Sequence, residues 1–421
     1  MTTANRRYAM VVLAIVYMFN FVDRQILAIL LPAIKSEFGS SDAILGALAG
    51  TAFALFYVTL GIPIAQYADR ANRRNLLAAA VAIWSAMTAV SGLAQNIWHL
   101  GLARIGVGIG EAGCSPPAHS MISDLYPPEK RSTAMGFYTL GISAGIMLAY
   151  LAGGWVVQNM GWRQTFFIVG LPGLLLAAIV RFTLPEPQRG ASEGRTASDA
   201  APTLGQVFRF LLRRRSFIYM ALGAGLSSFV GYSVINWLPS FMDRSFAIPF
   251  VQIGVWLGLI LGISGGAGFF FGGYIADKLG RSTQRRSLTF IAGVIAISAV
   301  LLIWTFLADS WQLVLWLFVV PAATMNVYLA PVLAQVQSLV ALRMRSVASA
   351  IVLLIINIIG LALGPWLTGL LSDALDPTFG QESLRYALLI TVVAVVPLAS
   401  LSYWLGGRHI DADLARANDS D

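Results

Sequence analysis

The sequence predicts an all-α polytopic membrane protein, with twelve transmembrane helices in two pseudo-symmetric six-helix bundles around a central cavity. Three observations predict it. Of the 421 residues, 57% are hydrophobic and only 11% charged, against about 25% charged in a soluble globule, so most of the surface must be solvated by lipid. The apolar runs are continuous rather than alternating, which excludes a closed β-barrel, and at about 20 residues per span the chain has room for about twelve helices. Finally, a short charged loop motif recurs at corresponding places in two halves of six spans each.

Taken in order, the first span runs over roughly 8–34 and carries Asn20, Asp23 and Arg24 inside otherwise apolar sequence. Arg6 and Arg7 precede it as in a signal peptide, but the run is too long for an h-region and no small-residue cleavage site interrupts it, so the span is expected to be retained. Spans follow at roughly 43–67, 75–95, 98–119, 132–157 and 163–184. The segment 185–215 then has linker composition: it opens Pro-Glu-Pro, runs through Gly, Ser, Ala and Thr, and closes on Arg213, Arg214 and Arg215. Within it Thr203 to Leu212 reads as a surface amphipathic helix. Six more spans fall at roughly 216–242, 251–276, 287–308, 312–340, 346–372 and 383–405. The organisation is therefore an N-terminal bundle over 1–184, a cytoplasmic linker over 185–215, a C-terminal bundle over 216–407 and a cytoplasmic tail over 408–421.

The formal net charge is +8 and the isoelectric point about 9.8. The basic residues sit in alternate loops: Arg70, Arg73 and Arg74 after span 2, Lys130 and Arg131 after span 4, Lys278, Arg281, Arg285 and Arg286 after span 8, Arg343 and Arg345 after span 10. The other loops hold few, chiefly Lys35, Arg163, Arg244 and Arg385. This is the positive-inside pattern, which places both termini in the cytoplasm and marks no nucleic-acid partner. Cys114 is the only cysteine, so there is neither an intramolecular disulfide nor a multi-cysteine metal site. No GxSxG elbow, HExxH or Walker loop occurs, and His99, His119 and His409 have no metal spacing. No catalytic residue, metal or cofactor is expected, which leaves an ion gradient, most simply of protons, or downhill diffusion as the energy source.

A charge in the hydrocarbon core costs at least about 2.5 kcal/mol, so Asp23 requires a partner. Arg104 and Glu111 lie together in span 4, seven residues apart, hence on nearly the same helix face and about 10 Å apart along the axis. They are too distant to pair directly, and Asp23 from span 1 can lie between them and accept bonds from Arg104. Asp23, Arg104 and Glu111 are the candidate proton-coupling residues; a static network that fixes helix packing is the alternative. Arg24 projects about 100° from Asp23 and is expected to serve a different partner, in either a structural or a solute-anion role.

The recurring motif reads Ala68-Asp69-Arg70-Ala71-Asn72-Arg73-Arg74 after span 2 and Ala276-Asp277-Lys278-Leu279-Gly280-Arg281 after span 8. A carboxylate there can cap a neighbouring helix N-terminus and pair with a cation across the interface of the halves. Asp69, Arg70, Arg73, Arg74, Asp277, Lys278 and Arg281 are thus expected to form a cytoplasmic gate rather than a solute site, with a solvated topology signal as the other reading.

These motifs resemble the major facilitator superfamily over essentially the whole chain. Gly273, Ala276, Asp277, Lys278, Gly280 and Arg281 match its loop signature well, and the copy at Asp69 more loosely, with Ala65 and Asn72 where the family prefers glycine. Arg104, Gly108, Gly110 and Ala112 match the span-4 signature of proton-coupled members, whereas Gly141, Gly145, Gly153 and Gly154 lack the Gly-Pro pair of the antiporter signature. Asn20-Phe-Val-Asp23-Arg24, Ser41-Asp42 and Gly110-Glu111-Ala112-Gly113 with Pro116 are most similar to the Spinster-like branch, here as a bacterial-type member.

The resemblance implies alternating access, location in a bacterial inner membrane, a monomer in contact with membrane lipids, and an amphipathic, anionic or lysolipid-like solute. Organic-anion and sugar-acid proton symport, or uncoupled lipid facilitation, are the alternatives. The resemblance also implies that spans 1, 4, 7 and 10 line the cavity. On that basis Asn20, Arg24, Phe229, Tyr232, Asn236, Trp237, Asn326 and Tyr328 are the expected solute-binding residues, with packing as the other reading for each aromatic.

Overall fold

The structure is a computed structural model that describes residues 3–68, 70–188, 204–280, 283–341 and 344–418. Among these residues there are twelve long helical columns, one short helix and no strand. The first six columns are α1 (Thr3–Phe38), α2 (42–68), α3 (Arg73–Ser91), α4 (97–125), α5 (Pro128–Met160) and α6 (Trp162–Thr183). The short helix is α7 (Leu204–Leu212), within one residue of the amphipathic segment expected from sequence. Then come α8 (Arg215–Phe246), α9 (250–280), α10 (Gln284–Leu307), α11 (311–338), α12 (345–379) and α13 (Ser383–Asn418). Large apolar side chains stay uncovered on the outer faces, Trp98 at 73% and Trp316 at 77% exposed, as lipid solvation requires.

Five columns are not continuous α-helix. A π-turn interrupts α2 at Ala47–Thr51, α9 at Ile260–Ser264 and α12 at Ile356–Leu363. In α4 the helix breaks over 112–114, where Gly113 donates to Gly110 O (3.1 Å) and Cys114 to Glu111 O (3.0 Å). Such i to i−3 bonds tighten the chain and let it leave the helix axis. Pro116 and Pro117 lie in the first turn of the segment that follows, where a missing N–H costs little. The prolines therefore open the second half of α4, which continues to Leu125, instead of ending the span near 119 as expected. A comparable break divides α11 over 325–328.

The chain forms two compact units. The first comprises 1–198 with 247–262, the second 199–246 with 263–421. In the first, α1 packs along α5 and α3 against α6; in the second, α13 packs along both α8 and α10. The start of α9 groups with the first unit because it meets α5 glycine on glycine. A Cβ on Gly154 would lie 2.9 Å from the Gly254 Cα, closer than side-chain carbons tolerate, so only paired glycines permit this approach. Gly254→Leu is expected to lower thermal stability by about 2 kcal/mol or more through overpacking, read from the unfolding of the purified protein, whereas Gly136→Ala, whose Cβ meets nothing within 4 Å, should be nearly silent.

The described C-terminal segment is tied more firmly than the sequence suggests. α13 runs on to Asn418, so 408–418 is helix rather than free tail, and Asp413 Oδ2 accepts from the Ser216 N–H (2.8 Å) and Oγ (2.7 Å) at the start of α8. α7 rests on the second unit through the buried Val207 and Leu211.

Candidate functional site

Four ionisable residues meet inside the first unit, contributed by α1 and α4. Asp23 and Arg24 lie near the middle of α1; Arg104 and Glu111 lie two turns apart on α4, with Glu111 the last residue before the helix break. All four are buried, and Asp23 and Glu111 are wholly inaccessible. The sequence dictates this locally: α4 carries small residues around its charges, and Gly110 abuts the Trp84 backbone of α3, with room for a hydrogen atom and no side chain.

The pairing differs from expectation. Glu111 Oε2 accepts from Arg24 Nη2 (2.8 Å) and Nε (3.2 Å), so the direct partner of Glu111 is Arg24 and not Asp23 or Arg104. Arg104 Nη1 donates to the backbone carbonyl of Asp23 (3.3 Å) rather than to its carboxylate. The reason is directional. Adjacent residues of a helix diverge by about 100°, so with Arg24 aimed at Glu111, the Asp23 side chain points toward α3. There its carboxylate faces Thr88 and Trp84, with Arg104 and Glu111 as charged neighbours.

Aromatic rings enclose Arg24. Its guanidinium carbon lies 5.0 Å from the Phe21 ring centroid and 4.9 Å from those of Phe53 and Tyr57, and Arg104 lies 5.5 Å from Phe53. Desolvated cation–π contacts contribute up to about 2 kcal/mol each, so these rings can hold the guanidinium when its carboxylate partner is neutralised. Asn20 and the buried Cys114 flank Glu111. The aromatic box was not foreseen, although Phe53 and Tyr57, four residues apart on α2, present one helical face.

A second polar centre in the first unit involves residues expected at the gate. Arg73 is 1% exposed; Nε bonds Glu186 Oε1 (2.8 Å), Nη1 bonds Ser120 Oγ (2.9 Å) and the Asp124 carboxylate, and Nη2 bonds the Pro187 carbonyl (2.7 Å). Glu186 also accepts from the Arg74 N–H (2.7 Å), capping the first turn of α3. Arg73 is thus an internal tie of the first unit in this conformation. Glu186 and Pro187 belong to this anchor although they opened the expected linker. Arg6 lies over Tyr126 (5.8 Å), which puts the start of α1 at the same end. At the opposite end of α1, Lys35 pairs with Asp42 (2.6 Å) and Glu37 with Arg163 (2.6 Å). Asp69, Arg281 and the Asp277 side chain lie outside the described residues; Arg70 and Lys278 are exposed.

In the second unit the expected solute residues divide. Trp237 is fully buried and its Nε1–H donates to the Pro365 carbonyl (2.9 Å), an arrangement that fits the packing reading of this aromatic. Asn236 is buried and donates to the Tyr232 carbonyl one turn back (2.8 Å). Tyr328 packs near Tyr403 at 6.3 Å, with Tyr232 and Ser228 beside it, while Phe229 and Asn326 are partly exposed.

The chain matches the sequence profile of the Major Facilitator Superfamily over residues 13–365. It is 31% identical to an MFS-type efflux pump of Mycolicibacterium smegmatis over 96% of this chain and 93% of that protein. It is 28% identical to a cis,cis-muconate transport protein of Acinetobacter baylyi over 62% of this chain and 63% of that one. Among solved structures, a bacterial homolog of the human lysosomal transporter Spinster, inward-facing and unoccupied, superposes with a TM-score of 0.88 at 31% identity, covering 98% of this chain and 99% of that one.

Proposed function

Since the chain belongs to the Major Facilitator Superfamily, on its Spinster-like branch, it is a multi-pass membrane transporter, and we propose that it couples proton movement to solute movement through the Arg24–Glu111 pair. The observation that carries this reading is the buried two-cation, two-carboxylate cluster in which Glu111 bonds Arg24 through Nε and Nη2. A proton taken up by Glu111 cancels the charge that holds Arg24. The guanidinium, retained by Phe21, Phe53 and Tyr57, then becomes available to an anionic group. Asp23, set against Thr88 and Trp84, provides a second carboxylate that can take or release a proton without breaking the first pair.

The solute we infer is amphipathic and anionic, of lysolipid type: the guanidinium offers a bidentate donor for phosphate or carboxylate, and the ring cage an apolar wall. The relative that carries cis,cis-muconate favours a second reading, proton symport of an organic anion or sugar acid, which needs the same arginine without the apolar wall. Transport would proceed by alternating access, driven by the proton gradient without a cofactor, in a monomer lodged in a bacterial inner membrane. Cytoplasmic termini are supported by Arg6, Arg70, Arg73 and Arg74, which belong to the N-terminal end of α1 or to the α2–α3 turn.

The test is uptake and efflux in proteoliposomes with lysolipids, sphingoid phosphates and sugar acids, with and without a pH gradient. Accumulation that collapses with a protonophore is the expected result, and the solute that accumulates separates the two readings. Flux indifferent to the gradient would replace coupled transport with an uncoupled lipid facilitator.

A further inference from the structure

The second unit contains a cavity of about 380 Å³ lined by Gly280 at the end of α9, Gln284 and Ser287 at the start of α10, and Gln335 and Ser338 near the end of α11. Its volume falls within the roughly 300–1,000 Å³ of small-ligand sites. Gln335 distinguishes it. That side chain is 4% exposed, and neither its amide nitrogen nor its carbonyl oxygen has a hydrogen-bond partner. An unmade bond at a buried polar atom is costly, so a leucine or methionine would serve packing better. Its polar neighbours are already engaged: Gln337 donates to Ser349 Oγ (2.8 Å), Ser338 to the Ala334 carbonyl (3.0 Å) and Gln284 to the Gly280 carbonyl (3.4 Å).

The lining determines what would complete Gln335. None of the described lining residues is charged; the polar groups are amides and hydroxyls. A bare anion would satisfy the Gln335 NH₂ but face its carbonyl oxygen unfavourably, and a cation would do the reverse. A hydroxyl both donates and accepts, so neighbouring hydroxyls can satisfy both ends of the amide. We propose that this cavity is a binding site for a neutral polyhydroxyl group, held by Gln335 with Gln284 and Ser287 in support. That chemistry can arrive as the polyol headgroup of a phospholipid or as a free polyol. The cavity belongs to the second unit and the charge cluster to the first, so the site does not depend on the transport mechanism proposed above.

The test is thermal unfolding of the full chain in lauryldimethylamine oxide, which has no sugar headgroup, with short-chain phosphatidylglycerol, phosphatidylserine of the same chain length, or free glucose. A saturable upward shift in Tm with a polyol probe and none with phosphatidylserine is expected. Gln335→Leu removes two unpaired polar atoms, should fold at least as well, and should lose the shift; Ser287→Ala should reduce it. A shift with phosphatidylglycerol alone assigns the site to lipid, and one with glucose alone to a soluble polyol, both in its favour. No shift with either polyol, an equal shift with phosphatidylserine, or an undiminished shift in Gln335→Leu would overturn it.

Discussion

Glu111→Gln is expected to abolish accumulation driven by a pH gradient, by at least about tenfold in initial rate, while exchange of solute across the membrane without a gradient persists. Glutamine keeps the shape of the side chain and can still accept from Arg24, but it cannot gain or lose the proton that would release it. Asp23→Asn should lose gradient dependence in the same way. It leaves the Arg24–Glu111 bonds and the Arg104 bond to the Asp23 carbonyl in place, so its thermal stability should stay within about 1 kcal/mol of wild type. A static network makes the opposite forecast, with stability lost in both variants and gradient dependence retained. Side-by-side proteoliposome transport and thermal unfolding separate the two.

Arg73→Met is expected to lower the stability of the first unit by about 3–5 kcal/mol, the usual cost of stranding the partners of a buried ion pair. The guanidinium serves Asp124, Glu186, Ser120 and the Pro187 carbonyl together, and no other described side chain reaches all four. Lysine should recover only part of the loss, because one ammonium cannot span four acceptors in a planar fan. Arg70→Ala, at an exposed position, should change stability by less than about 0.5 kcal/mol. Equal effects at 70 and 73, measured by thermal unfolding, would mean that both act as topology signals.

Helical boundaries were legible because lipid leaves the backbone no alternative to internal hydrogen bonds, so apolar length alone locates a span. The expected 216–242 and 287–308 lie against observed Arg215–Phe246 and Gln284–Leu307. Asp23, Arg24, Arg104 and Glu111 were legible as a group, since charge in hydrocarbon is conspicuous. Their pairing was not. Which of two adjacent α1 residues meets Glu111 depends on helix rotation, and spacing within one helix leaves rotation undetermined. The internal contacts of Arg73 are not legible for a related reason: its acceptors Asp124 and Glu186 are 51 and 113 residues away, and in sequence each resembles an ordinary loop charge. Trp237 shows the other limit, because an aromatic in a span reads the same whether it faces a cavity or donates to a buried carbonyl.

The interruptions of the helices repeat between the halves. The π-turns of α2 and α9 open at Ala47 and Ile260, the breaks of α4 and α11 open at Ala112 and Met325, and the two pairs are separated by the same number of residues. The charged loop motif, at Asp69 and Asp277, is not kept at that interval. The same pair of bends kept at one interval is the mark of a repeated half. The ion-pair residues Asp23, Arg24, Arg104 and Glu111 have no counterpart of comparable charge in the second half, so the two halves share the bends and not the ion-pair chemistry.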